Sequence, residues 1–205
     1  MYNIFVLKII DELHMKYDLP DRKRLALLGK LAYGEILDVG CHDIQNPHLI
    51  NAVGFDLRRP NEILPGYKTF IQGDCQYIDN FFQKESFDTI IAGELIEHLE
   101  SPASFLRGCH KILRNSGQFL ITTPNPYHWS TVIGNLFFIK SGITYDHINL
   151  IPFRAMIALL HLTGWKCIDI KNASGGMRLW PSTRKYFIPC PIALAWQHLY
   201  ICKKK

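Results

Sequence analysis

Four times between residues 35 and 95 a short apolar run ends in an acid: "ILDVG", "AVGFDL", "TFIQGD" and "TIIAGE". Runs of this length without polar alternation predict strands covered on both faces, the habit of a parallel sheet. In an open parallel sheet, ligands sit beyond the carboxyl ends of the strands, near the reversal in strand order. Asp38, Asp56, Asp74 and Glu94 fall at or near those ends. One acid there is ordinary turn chemistry. Four in succession along one edge predict a shared ligand site.

Helical segments alternate with these strands. An N-terminal helical region is followed by "DLPDRKRLALLGKLA", with Leu25, Leu28 and Leu31 near one face. A clearer helix starts at "SPASF", where Ser101 is predicted to cap and Pro102 suits the first turn. Phe105, Leu106, Cys109, Ile112 and Leu113 then keep helical spacing, and Gly117 is expected as a left-handed terminus. "QFLITTPN" reads as a fifth strand. A further helix opens at Pro152, with Phe153, Met156, Ile157 and Leu160 as its apolar stripe and Gly164 as its stop. "WKCIDI" and "HLYICKK" finish the chain as strands. This alternation predicts an α/β fold with a mainly parallel sheet. One domain is expected over residues 1–205, with N-terminal helices in 1–33 and an insertion at 126–151. "WSTVIGNLFFIKSG", within the insertion, reads as a short helix or lid over a pocket, or as a packed surface helix.

Composition narrows the function classes. The 205 residues are 48% hydrophobic and 20% charged, with a net charge of +5 to which the terminal "KKK" contributes. No dense Lys/Arg stripe is present, so nucleic acid is not the expected partner. The six cysteines include no C-x-x-C pair, which argues against a zinc knuckle or a redox pair of that spacing. Scattered among apolar runs, they fit a reducing cytoplasm. "MYNIFVLKIIDELHMKYD" lacks the basic start and apolar core of a signal peptide. "YFIPCPIALAWQHLYIC" is too short to span a bilayer and contains Pro189, Pro191, Gln197 and His198. Peripheral contact with a lipid or substrate is left open.

From about residue 34 to 203 the chain resembles the class I S-adenosylmethionine-dependent methyltransferases, through "ILDVGC", "VGFDL", "IQGDC", "FDTIIAGELIEHLESPASFLRGCHKILRNSGQFLITTPN" and "LLHLTGW". The long fourth motif is similar to the subgroup holding the O-methyltransferases of ubiquinone biosynthesis. The resemblance implies a single-domain, Rossmann-like, doubly wound sheet with an antiparallel C-terminal strand. It implies that Asp38 and Gly40 border the methionine end of S-adenosylmethionine, and that Asp56 accepts the ribose hydroxyls. Asp74 would face the adenine amino group with the Cys75 amide near the ring, and Glu94 would border the methyl-transfer site. His42 and Ile44 stand where the family pattern has glycines. Asp38 and Asp56 are only 18 positions apart, so a short first helix is expected after the loop.

In "GELIEHLE", Glu94, Glu97 and His98 have i, i+3, i+4 spacing, which on a helical turn gives one face two carboxylates and an imidazole. His147, in "YDHINL", is placed to reach the same mouth. Three readings stand. Glu94 and His98 form a catalytic pair, with His98 or His147 as general base. Alternatively, Glu94, Glu97, His98 and His147 hold a divalent cation that lowers the pKa of an acceptor hydroxyl, as the resemblance to small-RNA 2'-O-methyltransferases implies. Or Glu97 and His98 only cap and orient the loop. Asn125, Tyr127, His128 and Trp129, just past the fifth strand, are candidates for acceptor contact or for turn and packing roles.

The expected activity is methyl transfer to an oxygen of a small molecule, lipid or glycan. The alternatives are a metal-assisted RNA ribose methyltransferase and a catalytically silent binding or scaffold protein. A nicotinamide dehydrogenase is disfavoured because no G-x-G-x-x-G follows any strand.

Overall fold

The computed structural model describes residues 19–137, 146–174, 177–178 and 187–205. The expected first helix and most of "GGMRLWP" lie outside them, as does the end of "WSTVIGNLFFIKSG". Helix α1 (Leu19–Leu31) precedes β1 (Ile36–Val39), β2 (Ala52–Asp56), β3 (Tyr67–Gln72) and β4 (Phe87–Gly93). Next come α2 (Pro102–Ile112), β5 (Leu113–Pro124), α3 (Trp129–Leu136), α4 (Phe153–Leu162) and β6 (Trp165–Asn172). Two-residue strands β7 (Met177–Arg178) and β8 (Phe187–Ile188) pair as a ribbon, and β9 (Gln197–Lys204) closes the chain.

The seven-stranded sheet has the order β3-β2-β1-β4-β5-β9-β6. Strands β1 to β5 are parallel, and β9 runs antiparallel between β5 and β6. The order reverses between β1 and β4, which is where such a sheet opens a crevice. All five parallel strands end on one edge, and the antiparallel β9 begins there. The sequence expectation of a doubly wound α/β sheet with an antiparallel C-terminal strand is met.

The period-two pleat sorts residues between two cores. On one face Leu28 of α1 packs with Ile36, Ile91, Leu120, Leu199 and Ile201. On the other, Phe105, Leu106 and Ile112 of α2 and Met156 and Leu160 of α4 pack with Leu37, Val39, Ile90 and Ile121. Truncating one of these, such as the fully buried Leu106, would cost about 2–5 kcal/mol through lost contact and residual cavity. Gly164 ends α4 with φ +94°, as its sequence position predicts.

Three local expectations fail. No helix joins β1 to β2; residues 40–51 form an irregular loop. Polar side chains hold it: Asn46 Nδ2 donates to Leu25 O at 3.0 Å, and Gln45 Nε2 donates to Glu62 O at 2.6 Å. Ser101 occupies the N-cap of α2 without a side-chain bond, and its amide instead donates to Gln76 Oε1 at 2.7 Å. Gly117 is not a helix terminus. α2 stops at Ile112 and β5 begins at once, because Leu113 pairs with Phe87 in the ladder.

Candidate functional site

The four strand-end acids lie along one edge, but each is already engaged. Asp56, closing β2, accepts from the His42 amide at 2.8 Å through Oδ2 and from the Arg58 amide at 3.1 Å through Oδ1. The loop after β1 is therefore pinned by the Asp56 carboxylate through the His42 amide. Asp74 accepts from the Gln76 amide at 2.9 Å and so caps the turn Cys75–Asn80. Burial pushes the neighbouring Cys75 thiol up to about 12. Gly40 has φ +77°, and a Cβ there would lie 2.9 Å from Leu95 Cδ1, so the turn requires glycine.

Asp38 points to the α1 side of the sheet. It is buried and accepts a hydrogen bond from the Tyr67 hydroxyl, which itself accepts from the Asn46 amide at 2.7 Å. Burial raises the Asp38 carboxyl to about 7, against the opposing pull of the Tyr67 hydrogen bond and the Arg24 charge.

Arg24, which the sequence did not single out, is the cation of this edge. It is buried, donates to Asp21 Oδ1 at 3.0 Å, and interacts electrostatically with Asp38 and Glu94. Its guanidinium passes so close to Gly93 that a Cβ there would meet Nη1 at 2.6 Å. In sequence it is one of four cations in "DRKRLALLGK", and only the register of α1 on the sheet distinguishes it.

Glu94 adopts φ +53°, a backbone state that costs a non-glycine residue about 1 kcal/mol or more and that tends to mark functional edges. Its Oε2 accepts from Gln197 Nε2 at 2.9 Å, and burial raises its carboxyl above the ordinary range. Around it, Arg24 Nε and Gln197 Oε1 are buried without hydrogen-bond partners, and Thr122 Oγ1 lies beside the Glu94 carboxylate. Clustered unsatisfied polar atoms are costly unless a ligand or water completes them.

The predicted Glu-Glu-His face divides. Ile96–His98 is a single 3-10 turn, and Glu94 turns toward Gln197 while His98 faces residues of the 146–147 segment. Glu97, His98 and His147 form a group whose donor atoms lie within 4.8 Å of one another. The structure thus brings together three of the four predicted metal ligands and leaves Glu94 out. It likewise separates the contacts of the expected catalytic pair, Glu94 and His98. Glu97 is fully buried, accepts from Thr123 Oγ1 at 3.2 Å through Oε2, and keeps Oε1 unpaired. Burial, reinforced by the nearby Glu94 charge, raises its carboxyl well above the ordinary value. His98 Nδ1 lies 3.2 Å from Asp146 Oδ2, and the His98 and His147 rings meet edge to face at 4.6 Å. Burial, then the neighbouring His98, lowers the pKa of His147.

Beside this cluster is an apolar cavity of about 630 Å³, walled by Tyr127, Pro152, Phe153, Ile170, Ile192 and Ala193. Its polar lining is Asn125, Arg154 and His198. Thr123, which bonds Glu97, is the cross-strand partner of His198. The two therefore share a sheet face, and the cavity continues the Glu97 side of the edge. Of the residues after β5, Asn125 and Tyr127 line this cavity, whereas buried His128 caps α3 by accepting from the Ser130 amide at 3.3 Å.

The methyltransferase-domain family matches residues 12–170 of this sequence. The chain belongs to that family. The match runs from before α1 into β6 and so takes in all five parallel strands. The chain is 36% identical over 53 residues to the mitochondrial ubiquinone biosynthesis O-methyltransferase of Rattus norvegicus. That match covers 26% of this chain and only 15% of the rat protein. Among solved structures, a possible histamine N-methyltransferase of Thermotoga maritima superposes with TM-score 0.64 at 17% identity, covering 100% of both chains. The 1,6-didemethyltoxoflavin-N1-methyltransferase of Burkholderia thailandensis, solved with its acceptor and S-adenosylhomocysteine, gives TM-score 0.62 at 14% identity, with 98% and 88% covered. Identities this low establish a shared fold. Among the described residues no helix is long and apolar enough to cross a membrane.

Proposed function

We propose that this methyltransferase moves the methyl group of S-adenosylmethionine to a hydroxyl oxygen of an apolar small molecule. The observation carrying the proposal is the pairing of a polar, ligand-hungry edge on the α1 side with an apolar cavity on the other. At the polar end, the methionine carboxylate would take the Arg24 guanidinium, and its ammonium would sit between Asp38 and Glu94. Gly40 would let the backbone approach. Each Asp56 oxygen accepts one amide and retains a lone pair for a ribose hydroxyl. The adenine would lie against Asp74 and the Cys75 amide. The sulfonium is already activated, so the protein's task is chiefly to align acceptor and methyl group in a dry site.

Oxygen is favoured as the acceptor atom by the short likeness to ubiquinone-pathway O-methyltransferases and by a proton acceptor at the mouth. His98 is the general base, positioned by Asp146, and the depressed His147 beside it stays neutral at pH 7. A second reading rests on the same group. Glu97, His98 and His147 would hold a divalent cation, which when bound would lower the acceptor hydroxyl's pKa. The buried unpaired Glu97 Oε1 fits it: a nearby cation would favour a carboxylate that burial now disfavours.

The test is calorimetry with S-adenosylhomocysteine, followed by titration of magnesium, manganese and zinc. Stoichiometric S-adenosylhomocysteine binding is expected. Its absence would defeat the donor-site assignment, and metal titrations without heat would leave His98 as unaided base. An extended apolar acceptor is expected to co-purify with the chain. Recovery only of charged sugars would overturn the acceptor assignment.

A further inference from the structure

Away from the donor and acceptor sites, two thiols face each other across the sheet. Cys167 of β6 and Cys202 of β9 are Cα partners in an antiparallel ladder. Residues so opposed sit about 4.5–5.5 Å apart at Cα with side chains on one face. A disulfide accepts Cα separations of about 4.4–6.8 Å. Both cysteines are free, and their thiols hydrogen-bond to one another.

The two sulfurs differ in access. Cys202 is fully buried between β5 and β6. Cys167 is half-buried and lines a surface cavity of about 420 Å³ with Ile157, His161, Trp165 and Lys205. The Asp169 carboxylate, which lines the same cavity, opposes thiolate formation. The hydrogen bond from Cys202 outweighs it and favours the Cys167 thiolate. Of the six cysteines, Cys167 alone is held below the ordinary thiol value, while burial raises Cys41, Cys75, Cys109 and Cys190. An accessible attacking thiol backed by a buried partner is the arrangement a two-step oxidation needs. Strand β6 lies at the edge of the sheet, so only β9 and its covering helix constrain its adjustment.

We propose that Cys167 and Cys202 form a modification site at which a hydroperoxide closes a reversible cross-strand disulfide. The Cys167 thiolate attacks the terminal peroxide oxygen and breaks the O–O bond. The product alcohol, or water from hydrogen peroxide, leaves with the thiol proton, and Cys167 becomes a sulfenic acid. Cys202 sulfur then attacks the Cys167 sulfur and expels water. Two thiols are oxidised by two electrons, and one peroxide is reduced.

The reduced whole chain, treated with a slight excess of hydrogen peroxide, should fall from six titratable thiols to four. Non-reducing peptide mapping should then recover Cys167 joined to Cys202, and dithiothreitol should restore the full count. Cys167→Ser should keep all its remaining thiols under the same treatment. Cys202→Ala, should it fold, should accumulate a Cys167 sulfenic acid trapped by dimedone. Six thiols surviving oxidation, Cys167 driven to sulfinic acid, or a link to another chain's cysteine would each overturn the proposal. None of these readouts depends on S-adenosylmethionine binding, so failure here is separate from failure of the assigned function.

Discussion

The two halves of the functional edge are built on different principles. On the β1–β3 side, consecutive strands each deliver one acid, and backbone amides of the intervening loops grip those acids. Asp56 holds the His42 and Arg58 amides, and Asp74 holds Gln76. On the β5–β9 side the wall is apolar and drawn from segments far apart in sequence, including Tyr127, Phe153 and Ile192. A donor molecule common to many enzymes needs only a fixed polar cradle on contiguous elements. An individual acceptor needs a shaped apolar recess, for which distant loops are the adaptable material.

Substitutions should therefore separate the halves. Asp56→Ala would remove the proposed charge-assisted hydrogen bonds to the ribose and should weaken S-adenosylhomocysteine binding by roughly 100-fold, read by calorimetry. Part of the loop anchoring is lost too, so a melting curve must show the variant folded. Arg24→Met should cost about tenfold or more in the same measurement, a hydrogen bond to a charged group being worth roughly 1.5–3 kcal/mol net. Ala193→Trp fills the apolar cavity proposed for the acceptor and should leave S-adenosylhomocysteine affinity unchanged. Binding of the apolar dye anilinonaphthalene sulfonate should weaken roughly tenfold, or about 1.4 kcal/mol. If Ala193→Trp damaged donor binding as much as Asp56→Ala does, the division into halves would fall.

The smallest effect is a pH dependence. Asp38 has its carboxyl raised to about 7 in the fold against an ordinary 3.8, so the native state favours its protonated form. Its contribution to stability is complete below about pH 4 and is lost as pH rises through 7. The ligand ammonium proposed to sit beside it would reverse the preference. S-adenosylmethionine affinity should therefore strengthen as pH rises through 7, with proton release on binding. Asp38→Asn should flatten both curves, measured by melting temperature and by calorimetry in buffers of differing ionisation heat.

How much of this could be read from sequence follows the same division. The acid-ended strands were legible because each is a local pattern of an apolar run and its turn. Arg24, Thr122 and Gln197 were not, since their meeting around Glu94 depends on β5–β9 pairing and on the seating of α1. The irregular loop after β1 defeated the expectation of a short helix. Its stability comes from tertiary bonds by Gln45, Asn46 and Tyr67, which no local propensity reports. Glu94 was expected to join Glu97 and His98 on a helical face. A one-turn 3-10 segment beginning after a left-handed Glu94 sends it elsewhere.

A crystal structure of the chain with S-adenosylhomocysteine tests the central claim most directly. Both ribose hydroxyls should lie on the Asp56 carboxylate, with the adenine beside Asp74 and the ligand carboxylate on Arg24. Well-defined ligand density away from Asp56, with Arg24 still turned only to Asp21, would contradict it.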